Sequence, residues 1–144
     1  MHDHDRPLSE RGLDDAAVMA RRFAQRHEPL ALMLSSTAQR ARTTAGIFAS
    51  AMGGRPVEDA AALYAASLQS LMAIIAGFPD TARQVMIFGH NPGLSQLVGH
   101  LTDGLSIYLI PCATIRINLH VEHWREVVQG IGTQGWIDMP PGTK

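Results

Sequence analysis

The stretch QVMIFGHNPG, residues 84–93, decides the fold. Val85, Met86, Ile87 and Phe88 form an uninterrupted apolar run that breaks at Gly89. A short apolar run bounded by turn residues reads as a strand inside a sheet. The following LSQLVGHL, residues 94–101, reads as a helix, so a strand runs into a helix with His90 at its carboxyl end. The pattern occurs once more upstream. LALMLSS, residues 30–36, is an apolar run after Pro29 and predicts a strand buried on both faces. In TAQRARTTAGIFASAMGG, residues 37–54, Ala41, Ala45, Phe48, Ala49 and Met52 mark one face of a helix that Gly53-Gly54 ends.

Working outward, Ser9 is a suitable N-cap for an amphipathic helix over residues 9–27, with Leu13, Ala16, Ala17, Ala20 and Phe23 at helical spacing. RPVEDAAALYAAS, residues 55–67, holds a brief strand or a loop. LQSLMAIIAGF, residues 68–78, predicts a compact helix before Pro79. TIRINLHV, residues 114–121, alternates with the two-residue period of a strand, with Ile115, Ile117 and Leu119 on one face. WREVVQGIG and GWIDM add a further strand or a tail, and PPGTK is a loose end. Strands alternating with helices imply an α/β layered fold with a mostly parallel sheet. No repeat or linker divides the 144 residues, which are expected to form a single domain.

Composition narrows the function. Hydrophobic residues make up 46% and charged residues 17%, which is globular. A formal charge of -1 argues against a general nucleic-acid binder or a polybasic membrane binder. No apolar run approaches the ~18 residues of a membrane span. The lone Cys112 has no partner for an internal disulfide and is read as packing, and the chain is expected to be cytoplasmic.

In parallel α/β sheets, ligands bind beyond the carboxyl ends of the strands. Two sites qualify. Arg40 lies in the first turn of the helix after Ser35-Ser36, where its planar fork and the free N–H groups of a helix start suit an oxyanion. On spacing alone it reads first as an ordinary surface arginine. His90 sits after the second strand, placed either to bind phosphate or to cap the next helix. Arg42 is expected to face solvent. Together Arg40 and His90 would put a forked cation and an imidazole at one sheet edge, an arrangement suited to phosphate. No Gly-x-Gly-x-x-Gly that opens a helix and no Walker-type loop is present, which counts against a nucleotide-binding domain. His120 and His123, three apart, do not form a metal pair by spacing.

RPLSERG, SSTAQRARTTA and IFGHNPG, in this order, resemble the histidine phosphatase superfamily, and within it the short SixA-type phosphohistidine phosphatases. LYAAS (63–67) and GHLTDG (99–104) also resemble stretches of such proteins. The resemblance implies a phosphoglycerate mutase-like three-layer α/β/α sandwich with a mostly parallel sheet. It implies a phosphatase acting through a phosphohistidine intermediate, with no metal or other cofactor, on a phosphohistidine protein or a small phosphoester. Carried over, Arg40 is a phosphate arginine and His90 the second phosphate histidine. Arg6 would lie at the pocket mouth, or else pair with Asp3 or Asp5, and Asn91 would contact substrate.

Two features depart from that pattern. The Arg-His-Gly or Arg-His-Ala motif that carries the nucleophile is absent from these 144 residues. His2 and His4, with no apolar strand before them, read as loop histidines. The chain is therefore expected to be an incomplete member lacking the first central strand, or a non-catalytic phosphate-binding module. In place of a carboxylate near LYAAS stand Ala65 and Ala66, with Glu58 and Asp59 the nearest acids. Without a central strand two sheet edges lose their partners. The chain is expected to be less stable than a complete member and to associate; a sharp, reversible, monomeric thermal melt would contradict this.

Overall fold

The computed structural model describes residues 1–104 and 106–142. The N-terminal Asp3–Asp5 forms one 3-10 turn. Helix α1 spans Glu10–Gln25, and the Ser9 hydroxyl accepts from the Gly12 N–H at 3.0 Å, satisfying a donor of the first turn. Strand β1 (Leu32–Ser35) leads to α2 (Gln39–Ala51), which ends at Gly53 and Gly54, both at positive φ (89° and 86°), where a Cβ would be strained. The brief strand β2 (Glu58–Asp59) and a 3-10 turn (Ala61–Leu63) resolve the ambiguous RPVEDAAALYAAS segment. Helix α3 covers Leu68–Ala76, stopping at Gly77 before the proline. Strand β3 (Val85–Phe88) precedes α4 (Gly93–Leu101). The chain then forms β4 (Thr114–Leu119) and β5 (Gly132–Asp138), so GWIDM belongs to a strand. Of PPGTK, Thr143 and Lys144 lie outside the described residues.

Strands β2, β1 and β3 form a parallel sheet in that order. Side chains alternate across it. Met33 and Phe88 pack with Met19, Phe23 and Phe48 from α1 and α2. Leu34 and Ile87 turn the other way, onto Leu71, Ile75, Leu97 and Leu101 of α3 and α4. The result is the expected three-layer arrangement, two helices on each face of a parallel sheet.

Strands β4 and β5 form a separate antiparallel pair, with a register shift between Arg116 and Ile117. Among the described residues β3 pairs with β1 alone and β4 with β5 alone. This corrects the expectation of strands buried on both faces. In β1, Met33 and Ser35 are buried while Leu32 and Leu34 are half-buried, and in β3 only Phe88 is buried. Strand β3, paired on one edge, keeps water along the other, and the two-residue β2 covers only Leu34 and Ser35 of β1.

The two sheets are joined at the end of β3 remote from His90. The Glu28 carboxylate, 7% exposed, accepts from Arg116 of β4 at 2.7 Å and from Trp136 Nε1 of β5 at 3.2 Å, and it also accepts from Gln84 beside β3. Arg26 stacks over the Trp136 ring at 3.7 Å. These donors hold the Glu28 carboxyl below its ordinary range against the opposing effect of burial. Among the described residues no helix is long and apolar enough to cross a membrane.

Candidate active site

The carboxyl ends of β1 and β3 bring Arg40 and His90 together. Arg40 Nη2 lies 3.4 Å from His90 Nδ1. A guanidinium only donates, so Nδ1 is the acceptor and the proton sits on Nε2. Nε2 then donates to Ser36 Oγ at 2.7 Å, an oxygen that also accepts from the Ala38 N–H at 3.2 Å. Ser36 is fully buried and lies in the turn between β1 and α2, so the imidazole is anchored to the same turn that launches Arg40. The ring of His90 is therefore neutral and oriented from both sides.

Burial pushes the His90 pKa below its ordinary value of 6.5, and the Arg40 charge lowers it further. The unfolded chain thus takes up this proton before the folded chain does as pH falls. The stability that His90 contributes is complete above about 6.5 and is lost as pH drops towards the depressed value. Urea melts of the wild type are expected to show this loss on acidification to about pH 5, before the carboxylates titrate; His90→Gln is expected to lack it. Equal slopes in both proteins would contradict the assignment.

Gly93 closes this turn. A Cβ at Gly93 would stand 2.3 Å from the Ala66 carbonyl oxygen, a clash with backbone. The cis Asn91-Pro92 bond lies just before it. Gly93→Ala is expected to cost about 2–3 kcal/mol in a urea melt and to move the His90 loop; a wild-type melt would contradict the close approach. Asn91, expected to contact substrate, has its side chain engaged within the protein. Its Oδ1 accepts from the Ser95 N–H (3.1 Å) and Ser95 Oγ (2.6 Å), and its Nδ2 donates to the Leu109 carbonyl. The side chain is spent on capping α4 and tying the loop down.

Arg6 lies in the site region through Asp3: Arg6 Nη2 donates to Asp3 Oδ1 at 3.1 Å. The expected alternative, pairing with Asp3, is thus what the structure shows. Asp3 also accepts from Arg40, whose Nη2 reaches its Oδ2 at 3.1 Å and whose Nη1 reaches its backbone carbonyl at 2.8 Å. The Tyr64 hydroxyl donates to the same Oδ2 at 2.6 Å. Tyr64 packs edge-on against both His90 (5.4 Å between centroids) and His4 (4.9 Å). His4 remains in the N-terminal turn yet borders the site, with Nε2 2.8 Å from Thr37 Oγ1. An open cavity of about 500 Å³ beside it is lined by His4, Asp5, Thr37, Gln39 and Arg42.

Asp3 and Tyr64 are the residues that sequence reasoning missed. Tyr64 stood in LYAAS, next to Ala65, which adopts a left-handed φ of 51°. The other acids are elsewhere occupied or exposed: Asp59 pairs with Arg42 at 3.3 Å, and Glu58 is exposed on β2. Arg42 is itself largely exposed, as expected. Cys112 packs against the α1–α2 core, and burial raises its thiol pKa, which keeps it protonated. His120 and His123 have separate partners, Thr133 and Asp80.

The sequence pattern of the histidine phosphatase superfamily (branch 1) matches residues 2–72, which include Arg6, Arg40 and Tyr64. This match supports assignment to the histidine phosphatase superfamily. An uncharacterized chloroplastic protein of Arabidopsis thaliana is 30% identical over 147 residues, covering 94% of this chain. The chain spans 66% of that relative's length. Among solved structures, a protein described as a phosphohistidine phosphatase SixA from Agrobacterium tumefaciens superposes with a TM-score of 0.80 at 23% identity, covering 97% of this chain and 87% of that one. The protein histidine phosphatase SixA complexed with tungstate gives 0.81 at 22% identity, with the same coverage. These likenesses establish the histidine phosphatase fold, with the Arg40–His90 pair at the carboxyl ends of its parallel strands.

Proposed function

We propose that this histidine phosphatase chain forms the phosphoryl-gripping part of a phosphohistidine phosphatase. The observation that carries the reading is the 3.4 Å approach of the Arg40 guanidinium to the neutral, doubly anchored His90 imidazole. Phosphoryl transfer is governed by positioning and by cations on the equatorial oxygens. Arg40 supplies the fork, and His90 supplies an imidazole that gains a proton when a dianion arrives. In the complete reaction a histidine nitrogen attacks phosphorus and the P–N bond of the substrate breaks. A proton goes to the departing imidazole, and water then releases phosphate from the enzyme phosphohistidine. The open cavity beside the site suits a phosphoryl group carried on a protein surface. The SixA structure holding tungstate, a tetrahedral oxyanion, supports the same ligand class.

A specific observation favours a second reading, a phosphate-binding module without turnover: these 144 residues contain no Arg-His-Gly or Arg-His-Ala. A phosphate-release assay on a histidine-phosphorylated carrier protein separates the two. The phosphatase reading expects multiple turnovers that His90→Ala removes. The binding reading expects orthophosphate to bind with no release, and turnover would overturn it.

A further inference from the structure

Asp3 sits where a ligand would. Two donors from distant elements, Arg40 Nη2 at 3.1 Å and Tyr64 Oη at 2.6 Å, converge on one carboxylate oxygen, Asp3 Oδ2, while Arg6 holds the other. The carboxylate is anionic and planar, and its Oδ2 lies between the Arg40 and Tyr64 side chains that both contact the His90 ring, where the phosphate-site reading puts a phosphoryl group. Whatever holds that oxygen therefore marks the donors available to an incoming oxyanion. The 3-10 turn that carries Asp3 is exposed and buries no residue, so it can leave without dismantling a core.

We infer that Tyr64 is an oxyanion-binding residue, whose hydroxyl passes from Asp3 to the bound phosphoryl oxygen, and that Asp3 is an internal competitor for this site. This rests on the phosphate-site reading above. The hydroxyl donates to Asp3, which raises its pKa while seated, and a phenol of ordinary pKa 10 still keeps its proton at neutral pH once Asp3 has left. Its hydroxyl and Arg40 Nη2 meet on the same Asp3 oxygen, which places it on the same side of the site as the Arg40 fork. Tyr64 thus supplies a neutral donor beside a cation, a pairing that favours a multiply charged oxyanion without an added positive charge.

The test is binding of tungstate and of orthophosphate by calorimetry to the wild type, Asp3→Asn, Tyr64→Phe and Asp3→Asn/Tyr64→Phe. Asp3→Asn is expected to tighten both anions about tenfold, because it removes the competing charge. In the Asp3→Asn background, Tyr64→Phe is expected to weaken binding about tenfold. If Tyr64 served only to hold Asp3 down, Tyr64→Phe would tighten binding in the native background and change nothing in the Asp3→Asn background; that result overturns its ligand role. Unchanged affinity in Asp3→Asn overturns the competition. Arg40→Ala in the Asp3→Asn background keeps the site reading separate. Loss of binding there with a neutral Tyr64→Phe refutes this inference alone, whereas binding independent of Arg40 refutes both. Far-ultraviolet circular dichroism confirms that each variant is folded.

Discussion

Arg40→Ala is expected to weaken orthophosphate and tungstate binding by about hundredfold or more, as read by calorimetry. The side chain is only 22% exposed and is held by the Asp3 carboxylate and its backbone carbonyl, so the fork is ordered before a ligand arrives. An ordered fork loses little entropy on binding, and two charge-assisted hydrogen bonds are removed together in the alanine variant. Arg40→Lys keeps the charge but not the fork, and is expected to fall between, about tenfold weaker than wild type. Its ammonium cannot bond two oxygens in one plane. Equal affinities for lysine and arginine would show that only charge matters at this position.

Glu28→Ala is expected to destabilise the fold by about 3 kcal/mol in a urea melt. The carboxylate is 7% exposed and gathers donors from Arg116, Trp136 and Gln84. Removing it leaves a guanidinium, an indole N–H and an amide without their shared acceptor, and the cost of such orphaned groups exceeds the worth of the bonds themselves. The effect is large for a structural reason as well. Glu28 ties the β4–β5 pair to the end of α1 and to the start of β3, where among the described residues no strand pairing joins the two sheets. Glu28→Gln keeps the shape and one acceptor oxygen, and is expected to cost about half as much. A loss below about 1 kcal/mol for the alanine variant would mean that the clamp contributes no more than a surface ion pair.

The elements with strong local signals were legible in the sequence. Ser9 caps α1 as expected, because capping depends on residues within one turn. The apolar face of α2 and the run 85–88 were equally plain. Strand β5 was ambiguous because Gly132 and Gly135 interrupt its pattern. Their reason is tertiary: a Cβ at Gly132 would meet Ile117 Cγ2 at 2.8 Å, and one at Gly135 would press on Arg116. Burial on both strand faces was overestimated, since it depends on which neighbours complete the sheet rather than on the strand's own residues.

The site divides in the same way. Arg40 and His90 were readable because each follows a strand and starts a helix, and position at a strand's carboxyl end is visible in one dimension. Asp3 and Tyr64 lie 61 residues apart and meet only in the fold. Asp3, within HDHD, is legible only as a local partner of Arg6, three residues away. Asn91 carried a motif but not a free side chain, because a helix cap and a binding residue share the same residue preference until the partners are seen.

The most direct test of the central claim is a crystal structure of the chain soaked with tungstate. The account predicts the anion within hydrogen-bonding distance of the Arg40 guanidinium and the His90 imidazole, with the Asp3 carboxylate displaced. Tungstate bound elsewhere, with Asp3 still seated on Arg40, would contradict it.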